Sequence, residues 1–138
     1  MRRLLRLLSV AITLALLVGC GGNGVGHPTL AELAGTYSGT WSNGHSGQSG
    51  STTFTVNSLG AVSGTITNTA LGSGNLFSSK ASQGGHFEIN GQYPSGSIFL
   101  IQNFAGHLDL DSAGNLSGIL KEDKGDFEDS VTFNLTRQ

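Results

Sequence analysis

Apolar and polar residues alternate with a period of two along most of the chain after residue 35. Val131, Phe133 and Leu135, for example, are separated by single polar residues. The same alternation is found in the runs 51–56, 86–90 and 107–110. Successive side chains of a strand point to opposite faces, so this pattern is typical of antiparallel strands that bury one face. The sequence therefore predicts an all-β domain.

The alternating runs and the turn residues between them predict eight strands in a single domain over residues 28–138. The predicted strands are 36–42, 51–57, 61–67, 74–80, 86–93, 97–111, 115–121 and 129–136. The stretch 97–111 is long enough for one bent strand or for two. Pro28 to Leu33, followed by Gly35, predicts one turn of helix at an end of the domain.

Two segments with nearly the same sequence lie 54 residues apart. They are VNSLGAVSGTI at 56–66 and LDSAGNLSGIL at 110–120. Asn57 and Asp111 can each accept hydrogen bonds from their own turn, and Gly60 and Gly114 tolerate a positive φ angle, so both segments predict tight hairpins. A repeat of this length predicts an up-and-down barrel of two similar four-stranded halves. A β-sandwich is the alternative fold.

The N-terminal segment has the layout of a secretory signal. A basic start, Met1 to Arg6, precedes the apolar stretch Leu7–Val18, which is shorter than the roughly 20 residues that a membrane-spanning helix needs. It ends in Leu-Val-Gly-Cys at 17–20, which resembles the lipobox of bacterial lipoproteins. The resemblance implies that residues 1–19 are a signal peptide and that Cys20 is lipidated and anchors the protein to a membrane. An ordinary secretory signal is the alternative.

Cys20 is the only cysteine, so an exported domain has no disulfides, and lipidation would explain the lone thiol. The glycine-rich residues 20–27 then form a flexible tether. Gly21 resembles the residue that follows the cysteine in Gram-negative lipoproteins sorted to the outer membrane, so we expect an envelope location, at the outer membrane if the cell is Gram-negative. Three of the seven basic residues leave with the signal peptide, and four remain against nine acidic ones, a formal charge of −5. This sign excludes nucleic acid and anionic lipid headgroups as partners.

No catalytic or metal-binding pattern is found, and we predict a non-enzyme without a cofactor. The four histidines have no metal-ligand spacing and are interpreted as surface or turn residues. The segment 109–120 resembles a calcium loop only at its start, because Ala113 and Leu120 stand where oxygen ligands are needed. The acidic run 122–129 is interpreted as a solvated loop. No serine lies in a nucleophile elbow between a strand and a helix.

Several short motifs resemble the early strands of avidin and streptavidin barrels. They are Gly-Thr-Trp-x-Asn at 39–43, Phe-x-Val at 54–56, Gly-Ala-Val-Ser-Gly-Thr at 60–65 and Gly-Gln-Tyr at 91–93, and the entry segment at 30–37 resembles that of lipocalins. The resemblance implies an up-and-down barrel, with Asn43 at a ligand-contacting position and Thr52 near a ligand-binding serine. The chain departs from avidins at Ile66, where they have a ligand-binding tyrosine, and in having Trp41 as its only tryptophan. Biotin binding is therefore not expected.

Two functions remain open for the predicted barrel. In a carrier of small apolar or amphipathic molecules, the site would be an aromatic wall beside a hydroxyl with an amide at its mouth. Its residues would be Tyr37, Trp41, Asn43, Thr52 and Phe54. In a structural or partner-binding protein the same aromatic residues would fill the core, and the loops 43–50, 68–74 and 122–129 would make the contacts. The sequence does not predict an oligomeric state.

Overall fold

The computed structural model describes residues 27–138, so the predicted signal peptide, Cys20 and the tether before His27 lie outside the described residues. The described part forms one helix and nine strands. Their bounds are α1 Leu30–Leu33, β1 Gly35–Asn43, β2 Ser49–Val56, β3 Ala61–Asn68, β4 Gly72–Leu76, β5 Ser79–Ser82, β6 His86–Ser95, β7 Ile98–Leu110, β8 Leu116–Asp123 and β9 Glu128–Arg137. The stretch predicted at 97–111 as one strand or two is a single strand, β7.

The strands form a closed antiparallel barrel. Each strand pairs with a neighbour in the chain, and β1 also pairs with β9, with Tyr37 opposite Arg137 and Asn43 opposite Val131. β4 and β5 share one position between β3 and β6, so the barrel has eight positions. The prediction of an up-and-down barrel is confirmed, and the alternative of a β-sandwich is wrong.

The barrel has two unlike ends because its strands run alternately up and down. The connections at 44–48, 69–71, 96–97 and 124–127 lie at one end, which we call the loop end. The connections at 57–60, 83–85 and 111–115, together with α1, lie at the other, which we call the turn end. The chain enters the barrel at the turn end, where the Gly84 N–H donates to the Pro28 carbonyl at 2.7 Å.

The predicted strand 74–80 is wrong, because the chain breaks between β4 and β5. Ser78 has a φ angle of +45°, and the Asn90 N–H on β6 donates to the Ser79 hydroxyl at 2.8 Å. The extra residue at the break reverses the alternation, so that Ala81 faces the core and Lys80 faces solvent, where it lies 3.2 Å from Glu88. An uninterrupted strand would have turned the Lys80 ammonium inward.

The two repeated segments form the predicted hairpin turns, with φ angles of +86° at both Gly60 and Gly114. The Asn57 side-chain oxygen accepts from the backbone N–H groups two and four residues later, both at 2.9 Å, and that of Asp111 does so at 2.9 and 2.8 Å. Hydrogen bonds to the carboxylate hold the pKa of Asp111 below its ordinary value, and the bond from the Asn115 N–H has the largest effect. One turn joins β2 to β3 and the other joins β7 to β8. The two turns are thus four positions apart in the eight-position barrel, as expected for two similar halves of four strands each.

The short helix α1 begins at Leu30, two residues later than predicted, because Thr29 is its N-cap. The Thr29 hydroxyl accepts from the Glu32 N–H at 3.3 Å, and the Glu32 carboxylate accepts from the Thr29 N–H at 2.7 Å, which is a capping box. Pro28 lies just before the cap. Leu33 is fully buried, so the helix covers the turn end of the core.

Arg137 fastens the last strand to α1. Its guanidinium donates to the Ala34 carbonyl at 3.0 Å, to the Tyr37 hydroxyl at 2.7 Å and to the Glu32 carbonyl, and it lies 5.3 Å from the centre of the Tyr37 ring. Charge-assisted bonds of this kind are stronger than those between neutral groups. The C-terminal strand and the entry helix are therefore held together at the turn end.

The interior of the barrel is packed with apolar side chains. Three aromatic rings form its centre, with 5.4 Å between the ring centres of Trp41 and Phe104 and 5.3 Å between those of Phe104 and Phe133. Tyr37 and Phe54 pack at 5.8 Å nearer the turn end. The inward faces are those that the period of two predicts, since alternate residues of every long strand are buried.

Candidate functional site

On six strands the buried part of the inward row ends at a polar side chain, and all six of these positions lie at the loop end. We call this set the polar layer. Its members are Asn43 of β1, Asn68 of β3, Tyr93 of β6, Gln102 of β7, Glu122 of β8 and Asp129 of β9. The polar layer lies directly above the aromatic centre of the core, because each member is two residues from a buried or inward-facing one. It separates the core from the connections of the loop end.

Asn43 joins the two carboxylates of the polar layer. Its amide group donates to Glu122 at 2.8 Å and to Asp129 at 3.0 Å. Its side-chain oxygen accepts from the backbone N–H groups of His45 and Ser46, at 2.9 and 3.0 Å, which fixes the amide in this orientation. Both its donor and its acceptor are therefore used within the chain.

Gln102 connects the other half of the layer. It donates to Glu122 at 2.7 Å, and its oxygen accepts from the Tyr93 hydroxyl at 3.0 Å and from the Asn68 amide at 3.1 Å. Burial, and after it the charge of Glu122, raises the pKa of Tyr93 well above its ordinary value. Tyr93 is thus a neutral donor, and it contributes no proton to solution chemistry near neutral pH.

Lys124 is the cation that faces this layer, with its ammonium 2.5 Å from a Glu122 oxygen. Among the described side chains, the only buried polar atom without a partner is Nε of Arg137, at the opposite end. The polar layer is therefore satisfied by its own members, by Lys124 and by backbone N–H groups of the connections at 44–48 and 69–71. Such a network specifies one arrangement of the strands and closes the barrel mouth.

The interpretation of residues 122–129 as one solvated loop is wrong at both ends of the run. Glu122 lies in β8 and Asp129 lies in β9, and both face inward because they continue the buried rows of their strands. Only 124–127 connects the strands. Asp123, Asp126 and Glu128 are exposed, and we call these three carboxylates the acidic rim.

The structure places the five predicted ligand-binding residues in the barrel interior. Tyr37, Trp41 and Phe54 belong to the packed core, and Asn43 to the polar layer. The Trp41 indole N–H and the Thr52 hydroxyl donate to backbone carbonyls of β3 at 3.0 and 2.8 Å. Their polar groups are thus bonded within the chain. Ligand binding by these five residues stays a prediction.

The β6–β7 hairpin carries four consecutive exposed apolar residues, which we call the apolar finger. Ile98, Phe99, Leu100 and Ile101 are 61%, 59%, 38% and 48% exposed. β7 pairs with β6 as far as Ile98, but its pairing with β8 begins only at Phe104. The finger therefore extends past the barrel rim, and neither of its faces is covered by the barrel.

A groove of about 440 Å³ lies on the outer face at the base of the apolar finger. It is lined by outward side chains of β6, β7, β8 and β9, among them Glu88, Asn103, Lys121 and the rim residues Asp123 and Glu128. Three carboxylates and one ammonium line it, and Glu88 is also paired with Lys80 beside the groove, so the excess negative charge lies at Asp123 and Glu128. The sequence contains these charges, but their grouping depends on the pairing of four strands.

Three of the four histidines come together on the outer face near the turn end. His86 lies opposite His107 in the β6–β7 pairing, with ring centres 6.3 Å apart, and His27 lies 6.0 Å from His107. Sequence spacing could not reveal this, because the contact depends on register. Within residues 27–138, no group of three or more histidine, cysteine, aspartate or glutamate residues is arranged to hold a metal ion.

Comparisons with protein-family models, with curated proteins and with solved structures find no match for this chain. The predicted resemblance to avidin and lipocalin barrels is confirmed as far as the up-and-down barrel itself. No helix among residues 27–138 is long and apolar enough to cross a bilayer.

Proposed function

We propose that this chain is an envelope lipoprotein, anchored through Cys20, whose barrel binds a partner protein through the apolar finger. The observation that carries the proposal is the run of four exposed apolar side chains beyond the barrel rim. Contiguous exposed apolar surface on a folded domain costs solubility, and it typically marks an interaction site. The packed interior supports this function over that of a carrier.

The position of the tether supports a partner away from the anchoring membrane. The chain enters at the turn end, and the apolar finger lies at the loop end. A 13-residue tilted strand such as β7 spans about 30 Å along a barrel axis. Residues 20–26 reach at most about 25 Å when fully extended. The tether is therefore shorter than the barrel, and the barrel cannot turn over to bring the finger to the bilayer that holds Cys20. The finger faces away from that bilayer.

Lipid anchoring is tested by the Cys20→Ser variant. Without the thiol the precursor should be neither acylated nor cleaved by the lipoprotein peptidase, and it should migrate as the longer chain. Mass spectrometry of the membrane fraction reads both changes. Normal acylation of the variant would contradict anchoring through Cys20. Acylated wild-type protein in the outer-membrane fraction would support the proposed location.

The carrier function is tested by titrating the mature protein with biotin, fatty acids and envelope lipid extracts. Trp41 is the only tryptophan and lies in the packed core, so its emission reports on any ligand that enters the barrel. We expect no saturable change. A saturable change that is lost in Asn43→Ala would favour the carrier instead.

The partner-binding function is tested by placing a photo-crosslinking amino acid at residue 99 in living cells. Ile119 is the matched control, because it is 57% exposed on the outer face of β8, against 59% for Phe99. We expect one discrete adduct from position 99 and none from position 119. The same adducts from both positions, or none from either, would contradict a specific interface at the finger.

A further inference from the structure

We propose that the partner adds an extended, basic segment as an antiparallel strand to the open edge of β7 along residues 98–102. This inference rests on the proposed function, and it names the mode of binding and the chemistry of the partner. The observations that carry it are the open strand edge, the two apolar faces of the finger and the acidic groove at its base.

The open edge follows from the unequal lengths of neighbouring hairpins. β7 pairs with β6 over the whole of the finger, whereas β8 turns away at Asp123, beside Asn103. Within the described residues, no strand pairs with the second edge of β7 between Ile98 and Gln102. An open edge presents N–H and C=O groups in strand spacing, which is the template for strand addition.

The side chains of the edge favour an alternating partner. Phe99 and Ile101 continue the outward row of β7, while Ile98 and Leu100 continue the inward row beyond the polar layer. A strand added beside them would place its own side chains on the same two faces. In a strand that alternates valine and threonine, the valine side chains would then cover the apolar surface on one side of the finger and the threonine methyl groups that on the other.

The charges at the base of the finger require a basic end on that strand. The groove there contains Asp123 and Glu128, with Asp126 on the adjoining connection, and the ammonium that faces them is that of Lys121. Glu88 is already paired with Lys80 and Lys124 with Glu122, so the carboxylates of the acidic rim carry the excess negative charge. An antiparallel strand beside β7 begins at the base and runs toward the tip. Its N-terminal residues would therefore lie over the groove, where arginine pairs well with carboxylates.

The same charges disfavour two other occupants. A second copy of this chain, paired antiparallel along the finger, would place its own tip, residues 96–98, over the groove, and none of these is basic, so the carboxylates there would gain no cation. An anionic bilayer would be repelled by Asp123, Asp126 and Glu128, which are all exposed. The acidic rim thus favours a basic protein segment over both.

The test uses the mature lipoprotein in phosphatidylcholine nanodiscs and a labelled peptide, Arg-Arg-Val-Thr-Val-Thr-Val. We expect saturable binding by fluorescence anisotropy, together with slower amide exchange at residues 98–102. Three control peptides should each bind at least tenfold more weakly. One has Glu-Glu in place of Arg-Arg, one carries Arg-Arg at the C-terminus, and one has proline in place of both threonines.

Two double variants test the surface itself. Phe99→Ser with Ile101→Ser should weaken binding at least tenfold, while Ile119→Ser, equally exposed but distant from the edge, should not change it. Asp123→Asn with Glu128→Gln should weaken the binding of the Arg-Arg peptide. The Glu-Glu peptide, which binds weakly to the wild type, should bind the variant no more weakly. Circular dichroism should be unchanged in all of them, since the replaced side chains are exposed.

The outcomes separate this inference from the proposed function. A discrete crosslink at position 99 together with no peptide binding would overturn strand addition and leave the partner interface standing. Equal binding of the Glu-Glu peptide would overturn the basic segment. Dimerisation that is lost in the Phe99–Ile101 double variant would identify a second copy instead, and adsorption to phosphatidylglycerol vesicles would identify a lipid surface. Either result would overturn the inference.

Discussion

The repeated turns allow the same substitution to be made twice in nearly the same local structure. Gly60 and Gly114 have equal φ angles of +86° and equivalent hydrogen bonds from their turns. Replacing either by alanine places a β-carbon in the left-handed region, at a cost of about 1–2 kcal/mol. Local conformation therefore predicts the same loss of stability for Gly60→Ala and Gly114→Ala.

The surroundings of the two glycines differ. The nearest neighbour of a β-carbon at Gly114 would be the side chain of Arg137, at 3.1 Å, and a shift of that side chain by a few tenths of an ångström would relieve the contact while the guanidinium keeps its bonds. A β-carbon at Gly60 would overlap the backbone carbonyl of Ala81 and would lie 3.2 Å from the side chain of Leu30. Since the Ala81 N–H also donates to the Gly60 carbonyl at 2.7 Å, β5 cannot move away without weakening that bond.

The tertiary clash adds about 1–3 kcal/mol, the usual cost of forcing extra atoms into a packed site. We expect Gly114→Ala to lose about 1–2 kcal/mol of unfolding free energy and Gly60→Ala about 2–5 kcal/mol. Urea unfolding, followed by Trp41 emission, measures both through the shift of the midpoint at constant slope. Equal losses, or a larger loss for Gly114→Ala, would refute the argument that packing distinguishes the twin turns.

Three further predictions concern the polar layer and the turn end. Asn43→Ala should lower the unfolding free energy by about 2–4 kcal/mol, because Glu122 and Asp129 each lose a buried amide donor; urea unfolding measures it. The pKa of Tyr93 is raised from 10.0 in the folded state, so the contribution of this residue to stability should be constant below about pH 10 and fall above it, because the unfolded chain ionises first. Tyr93→Phe should reduce that alkaline fall in urea midpoints. Arg137→Ala should cost about 2–4 kcal/mol by the same measurement, and Arg137→Lys should recover only part, since an ammonium lacks the planar fork.

Much of the polar layer could have been read from the alternation alone. Extending the inward row of β8 from Leu120 leads to Glu122, and extending that of β9 back from Val131 leads to Asp129. The composition of the acidic run favoured a loop instead, and that interpretation missed both residues. Register is the stronger signal at a strand end, because a side chain two residues further along must point to the same face.

The apolar finger and the break between β4 and β5 were not predictable in the same way. The sequence shows four apolar residues at 98–101, which is also the pattern of a strand buried on both faces. They are exposed because β8 turns away before reaching them. The break at Ser78 depends on hydrogen bonds with Asn90, which lies 12 residues further along the chain.

The sequence by itself determined the strands other than β4 and β5, the faces that they bury and the two hairpin turns. Each of these follows from interactions between residues close together in the chain: alternation sets the direction of side chains, and Asn or Asp with Gly sets the turn. Only the tertiary structure determined which strand ends meet and how far one hairpin extends past the next. It placed the six members of the polar layer at one mouth, gave Gly60 and Gly114 different neighbours, and left the edge of β7 open. These depend on pairing across the barrel, and no local pattern encodes the length of a neighbouring strand.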